Sequence, residues 1–258
     1  MMRVLETVGV RKRFAGVIAL DDLEIRIEEG EIHGLVGANG AGKTTILNVI
    51  GGQVTADSGV VRIAGHDVER LSPCRRAELG LGRTFQESRM WPDLTAAEHL
   101  RIAIDASCRR AGCASGNRAV NDMCYVVELP KILLDRVPAQ MRLLDRRRVE
   151  LAMAALNASN LLLIDEIGAG LDIEEARILY RLISQLVGGR RVRAALLVEH
   201  KLELLAAFAT GISLIENGKV SQHADCKEAA QLAHLMNRMF DRRRGAAAEG
   251  SQERRILQ

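Results

Sequence analysis

Three features of the sequence predict an α/β fold with a mostly parallel sheet. A glycine-rich loop, Gly37-Ala38-Asn39-Gly40-Ala41-Gly42-Lys43-Thr44-Thr45, stands between the apolar run Glu31 to Val36 and the helical run Ile46 to Ile50. Short apolar runs recur at Leu161 to Ile164, Ala194 to Val198 and Ile212 to Ile215, spaced by helical stretches at Ile173 to Leu186 and Leu202 to Ala207. Between these halves, Leu94 to about Leu156 is dominated by Ala, Leu and Arg at helical spacing, with Gly112 to Gly116 as the obvious break. Strands that alternate with helices imply a parallel sheet covered on both faces.

Taken in order, the front of the chain reads as β-rich. Leu23, Ile25 and Ile27 alternate with charged residues and stop at Glu29-Gly30, a half-exposed strand; Val60 to Ile63, ended by Ala64-Gly65, reads as another. The loop that follows Val36 satisfies G-x-x-x-x-G-K-[ST] in the required setting of strand, glycine loop and helix. Its glycines let consecutive backbone N–H groups face a phosphate. Asn39, Gly40, Ala41, Gly42 and Thr45 form the cradle, Lys43 reaches the outer phosphates, and the Thr44 hydroxyl is placed to ligate Mg²⁺. The chain is therefore read as a nucleotide binder: a P-loop NTPase core with an N-terminal antiparallel β subdomain and a helical subdomain at about 87–157. One domain is expected over 1–240. The remainder, 241–258, carries Gly245-Ala-Ala-Ala-Glu-Gly-Ser and scattered charge, and is read as a disordered tail.

A second phosphate-site element lies at Leu161 to Glu166, where a buried strand delivers Asp165 and Glu166 to its C-terminal end. Ligands bind at that end of open α/β sheets. Asp165 suits a Mg²⁺ ion, held directly or through water, and Glu166 suits polarisation of the water that attacks a γ-phosphate.

Composition removes several other classes. The 258 residues suffice for a large core. A net charge of +3 and 3% aromatic residues argue against nucleic acid as a partner, and the arginine clusters Arg146 to Arg148 and Arg242 to Arg244 are read as solvated surface. Five cysteines without a C-x-x-C pair indicate neither a zinc site nor a disulfide framework. No apolar run approaches the roughly 20 residues of a membrane span, and the N-terminus lacks a signal-peptide core, so a soluble chain is expected.

With these motifs in place, nearly the whole chain resembles the ATP-binding subunit of ABC transporters. The resemblance implies an ATP hydrolase using ATP and Mg²⁺, with further site residues. Gln86, in Gly82-Arg83-Thr84-Phe85-Gln86, matches the family's Q-loop glutamine, which senses Mg²⁺ and the attacking water. Ala169-Gly170-Leu171-Asp172 resembles the D-loop, and His200, in Leu197-Val198-Glu199-His200, matches a histidine that contacts the γ-phosphate. Phe14 lies where the family places an aromatic that stacks on adenine; a core phenylalanine is the other reading.

One motif departs from the family. Where Leu-Ser-Gly-Gly-Gln belongs, the chain has Met141-Arg142-Leu143-Leu144-Asp145, and Ile167 replaces the proline that usually follows the glutamate. In the family that signature contacts ATP held on the opposite subunit, so a homodimer would carry two impaired sites. A heterodimer with a second ATPase subunit bearing an intact signature is expected. The runs Gly30 to Gly37, Gly80 to Gln86, Asp165 to Leu171 and Val198 to His200 look most like the subfamily importing branched-chain amino acids and related amides. That resemblance implies membrane permease subunits, indirectly a periplasmic substrate-binding protein, and a peripheral location on the cytoplasmic face of the plasma membrane. A lipid or lipopolysaccharide exporter and a regulatory, non-hydrolysing subunit are the alternatives. Met90-Trp91-Pro92 reads as an apolar loop that either docks on the permease or caps the helical insert.

Overall fold

The computed structural model describes residues 2–111, 116–228, 230–231 and 233–235, with the side chains of 107–118 left aside. Two sheets divide the work. Strands β1 (Arg3–Phe14), β2 (Val17–Glu28), β4 (Ser58–Ile63) and β5 (His66–Asp67) form an antiparallel sheet in the order β2-β1-β4-β5. Strands β3 (Ile32–Val36), β6 (Leu81–Arg83), β7 (Leu161–Asp165), β8 (Ala194–Val198), β9 (Gly211–Glu216) and β10 (Lys219–Asp225) form the second, ordered β10-β9-β3-β8-β7-β6. All of its neighbouring pairs are parallel except the β9–β10 hairpin.

The parallel strands are apolar throughout because both of their faces are covered. Leu161 and Leu163 of β7, with Leu196 and Val198 of β8, join a core shared with α1 (Lys43–Gly51) and the antiparallel sheet. Leu162 and Ile164, with Ala195 and Leu197, point the other way into the core beneath the remaining helices. That side holds α3 (Ala96–Ala111), α4 (Gly116–Val126), α5 (Leu143–Asn157), α6 (Ile173–Gly188) and α7 (Leu202–Phe208). The short α2 (Pro73–Glu78), capped by Ser72 with Pro73 in its first turn, leads into β6. The expected strand–helix alternation and the mostly parallel sheet are both present.

Three features differ from expectation or fall outside it. Strand β1 was not foreseen, because its alternation is broken by register shifts around Gly9, whose φ is +63°. The reading of Arg146 to Arg148 as solvated surface is wrong. Arg147 is 6% exposed, and Arg148 lies 3.2 Å from Asp145 in a half-buried ion pair, since this face of α5 packs against its own domain. Arg242 to Arg244 and the tail 241–258 lie outside the described residues.

One buried base lies inside the parallel sheet, on the strand between β9 and β8. His33 of β3 is 3% exposed, stacks on His223 at 5.5 Å and meets the Ser213 hydroxyl at 2.9 Å. Burial, then the neighbouring His223, pushes its pKa down to about 3. As pH falls from the ordinary histidine range near 6.5 toward 3, the unfolded chain takes a proton that the folded chain refuses. Stability is therefore lost in that window, by up to about 1.4 kcal/mol per pH unit. Replacing His33 by Asn is expected to flatten this acid slope, read from urea midpoints at pH values inside the window and, for the baseline, above about pH 7.5. An unchanged slope would assign the acid sensitivity to other groups.

Candidate functional site

The site gathers at the C-terminal ends of the parallel strands. Register fixes this: Leu35 of β3 and Asp165 of β7 both pair with Val198 of β8, so the loops that follow leave the sheet at one level. The loop after β3 turns into α1 through Gly42, whose φ of +110° suits only glycine and where a Cβ would lie 2.6 Å from the Ala19 carbonyl. A Cβ on Gly37 would approach the Ile215 carbonyl to 2.4 Å, so the turn is packed against the sheet. No side chain caps α1. Its first-turn N–H groups and positive dipole end are thus free of a protein carboxylate or hydroxyl cap, the arrangement that favours an anion.

Lys43 is buried, and its ammonium donates to the Gly37 carbonyl at 2.8 Å and the Ala38 carbonyl at 2.9 Å. Burial lowers its pKa, opposed by the charges of Glu166 and Asp165. Asp165 ends β7 and is 3% exposed. Burial pushes its carboxyl above the ordinary range, and Arg83, 3.6 Å away, pulls it back. Its Oδ1 is buried without a hydrogen-bond partner among the described residues. Carboxylate, hydroxyl and amide oxygens from Asp165, Thr44 and Gln86 form a hard donor set of the kind Mg²⁺ takes, and that ion needs only one or two carboxylates when phosphates supply the rest. The residues present fit such an ion, and the orphaned Oδ1 is the observation that makes them fit.

Glu166 is clasped from two sides. The His200 Nε2 lies 2.7 Å from its Oε1, and the Gln86 side-chain N–H donates to its Oε2 at 3.0 Å. Its backbone sits at φ +47°, an uncommon conformation for a non-glycine residue, held by donation of its N–H to the Val198 carbonyl. The structure thus brings Lys43, Asp165, Glu166, Gln86 and His200 to one place, with Asn39, Gly40, Ala41, Gly42, Thr44 and Thr45 on the loop and helix start beside them. Phe14 stands apart at the end of β1, 46% exposed, with the Lys12 ammonium 5.4 Å from its ring centroid. The core reading of Phe14 is removed by that exposure.

Three supporting residues went unnoticed in the sequence. Glu199 is 4% exposed and accepts the N–H of His200 at 2.7 Å, that of Lys201 at 3.1 Å and the Tyr180 hydroxyl at 2.6 Å. It thereby fixes the segment that carries His200. Lys201 donates to the Leu171 carbonyl at 3.1 Å, tying the same segment to 169–172. Arg147, on α5, donates to the Gln86 carbonyl at 3.1 Å and pairs with Glu150. No local pattern announces these contacts; only the polar residue following an apolar strand, at Glu199, hinted at one.

The stretch 141–145 forms the entrance to α5. Met141 is buried, exposed Arg142 is the N-cap without a side-chain bond, and Leu143 packs toward the D-loop, where a Cβ on Gly170 would lie 3.0 Å from its Cδ2. A groove of about 460 Å³ runs between the Gln86 loop and α3 and α5, lined by Phe85, Met90, Trp91, Ile102 and Met153 among others. Trp91 is 48% exposed, yet its backbone N–H donates to the buried His99 at 2.9 Å and its ring tilts against that imidazole. Among the described residues no helix is long and apolar enough to cross a membrane.

A glycine loop on a helix start, facing a strand-end carboxylate pair with glutamine and histidine on the second carboxylate, defines a nucleotide-binding cassette. The profile of the ABC transporter family matches residues 20–169, and the chain belongs to that family. The ribose import ATP-binding protein RbsA 1 of Rubrobacter xylanophilus is 30% identical over 96% of this chain and 51% of its own length. The high-affinity branched-chain amino acid transport ATP-binding protein BraF of Pseudomonas aeruginosa is 28% identical over 83% of this chain and 89% of its own. The chain spans about half the length, or less, of the sugar-import relatives it matches. The ADP conformation of MJ1267, an ATP-binding cassette of an ABC transporter, superimposes with a TM-score of 0.80 at 22% identity, covering 92% of this chain and 96% of that one. That likeness bears on the fold.

Replacing Tyr180 by Phe leaves one oxygen of the buried Glu199 without its hydroxyl donor. A hydrogen bond to a charged group contributes about 1.5–3 kcal/mol, and a loss of that size is expected in urea denaturation. An unchanged midpoint would mean that the backbone donors alone satisfy Glu199.

Proposed function

We propose that this chain is the ATP-binding and ATP-hydrolysing subunit of an ABC importer. The observation that carries the reading is the clasp on Glu166: a carboxylate beside the Lys43 loop, oriented by His200 and Gln86. ATP would lie with its phosphates in the cradle of Asn39 to Thr45, Lys43 leaving its two carbonyls for the outer phosphates and Phe14 beside the adenine. Thr44, Asp165 and Gln86 would hold Mg²⁺, which when bound neutralises charge on the transferring phosphoryl group. Glu166 accepts a proton from the attacking water as its oxygen bonds the γ-phosphorus, the bond to ADP breaks, and inorganic phosphate leaves. His200, 2.7 Å from the Glu166 carboxylate, would orient that base, and the family resemblance gives it a contact with the γ-phosphate as well.

The partners follow from the same reading: permease subunits, a periplasmic substrate-binding protein that acts through them, and a second ATPase subunit. Leu143 and Leu144 occupy positions where close backbone approach to a partner's ATP is needed, and Leu143 is engaged with its own D-loop region. This favours a heterodimer at the cytoplasmic face of the membrane. The groove beside Trp91 is the surface for a permease segment. Branched-chain amino acids or related amides are the favoured cargo, supported by the runs Gly80 to Gln86 and Asp165 to Leu171 and by the match to BraF over 89% of its length. Ribose or another sugar is the second reading, supported by relatives at 30–32% identity whose names specify sugar import.

Steady-state ATP hydrolysis by the purified chain beside Glu166→Gln, with size-exclusion chromatography in ATP and Mg²⁺, tests the core of this reading. Loss of the base is expected to lower turnover by about a hundredfold or more. A fast, ATP-dependent homodimer would overturn the heterodimer. In vesicles holding the complete transporter, labelled leucine uptake is expected, and Trp91→Ala is expected to lower uptake while hydrolysis continues. Ribose uptake instead of leucine would establish the second cargo reading, and unchanged uptake by the variant would remove Trp91 from the docking surface.

A further inference from the structure

Arg83 has no part in the scheme above, yet it is the cation closest to the buried face of Asp165. It ends β6, one strand from Asp165, and its side chain is 7% exposed. Fixed acceptors aim the guanidinium. Its Nη1 donates to the Leu47 carbonyl at 3.1 Å and to Gln53 Oε1 at 2.8 Å, and its Nη2 donates to Asn48 Oδ1 at 2.8 Å. Leu47 and Asn48 belong to α1, the helix that begins at Lys43. From that anchored position Nη2 stands 3.6 Å from Asp165 Oδ2. The other carboxylate oxygen, Oδ1, is the buried atom without a partner. Aromatic contact holds the guanidinium further: it lies over the Phe85 ring, 5.0 Å from the centroid, in the stretch that leads to Gln86.

The two oxygens of Asp165 are therefore inequivalent. One faces a guanidinium that cannot move without breaking bonds to α1, and the other is left without a donor among the described residues. A carboxylate with a fixed charge beside one oxygen is biased to present the other, and outer residues of this kind raise cation affinity by orienting the ligand rather than by touching the ion. Because the same guanidinium bonds α1, it also sets the distance between the strand bearing Asp165 and the helix bearing Thr44. We propose that Arg83 is a positioning residue for cation binding: it holds Asp165 and α1 in one geometry so that Oδ1 and the Thr44 hydroxyl address the same ion. This rests on the nucleotide-site reading above.

The test is calorimetric titration of the purified full chain with ATP in EDTA and at increasing Mg²⁺, for the parent, Arg83→Gln and Arg83→Lys, with thermal unfolding recorded for each. ATP affinity in EDTA is expected to change far less than the Mg²⁺ midpoint, because Arg83 bonds α1 at Leu47 and Asn48, beyond the Lys43 to Thr45 start of that helix. The Mg²⁺ concentration that gives half of the Mg²⁺-dependent gain in affinity is expected to rise by about tenfold or more in Arg83→Gln. Arg83→Lys keeps a charge near Oδ2 but lacks the planar fork that spans Leu47, Asn48 and Gln53 together, so its midpoint should fall between the two. A role limited to stability would lower the unfolding temperature and leave the Mg²⁺ midpoint in place, and that result overturns the proposal. Should Arg83→Gln fail to fold, the midpoint of Arg83→Lys decides alone: unmoved overturns, raised supports. Failure of the parent to bind ATP under any condition would overturn the nucleotide reading itself, which is a different result from ATP binding whose Mg²⁺ dependence ignores Arg83.

Discussion

Burial of β3, β7 and β8 on both faces is the constraint from which the rest follows. A strand with an apolar core on each side cannot slip by one residue without exchanging its two faces. Here the register also pairs Leu35 and Asp165 with the same residue, Val198. Asp165 stands at the last rung of β7, with Glu166 just beyond it, while Leu163 pairs with Arg83 two rungs earlier. Sheet register therefore sets the spacing between the Lys43 loop, the carboxylate pair, the Gln86 loop and the His200 segment. Chemistry at the rim is inherited from hydrophobic packing beneath it.

On that platform a second layer of polar residues fixes the orientation of the first. Glu199 gathers two backbone N–H groups and the Tyr180 hydroxyl beneath His200. Arg147 reaches from α5 to the backbone of Gln86, whose side chain meets Glu166. Lys201 joins the histidine segment to Leu171. Each of these is a buried or half-buried polar group with a partner, and in a low-dielectric setting such bonds hold direction better than exposed ones do. The helical part of the chain and the strand-end carboxylate are thus joined by a continuous series of contacts through Arg147, Gln86 and Glu166.

What the sequence disclosed and what it concealed separate by chain distance. The glycine loop, the apolar strand ending in Asp165 and Glu166, and the alternation of strands and helices are contiguous patterns, and they were legible. Helix α6 announced itself by its apolar spacing, and Asp172 caps it in the structure. By contrast, Arg147 and Gln86 are 61 residues apart, and Tyr180 and Glu199 meet across 19. Nothing local distinguishes a buried arginine on α5 from a solvated one, which is why the cluster at Arg146 to Arg148 was misread. Strand β1 was hidden by its bulge at Gly9, and β6 is only three residues long with a glycine at its centre.

The lysine of the phosphate loop carries one more implication. Lys43 spans the loop by holding the Gly37 and Ala38 carbonyls. The ammonium thereby ties the beginning of the turn, at Gly37 and Ala38, to the first residue of α1. A cation seated inside the turn in this way lets the loop draw its shape from its own helix, with no side-chain cap called on to hold it.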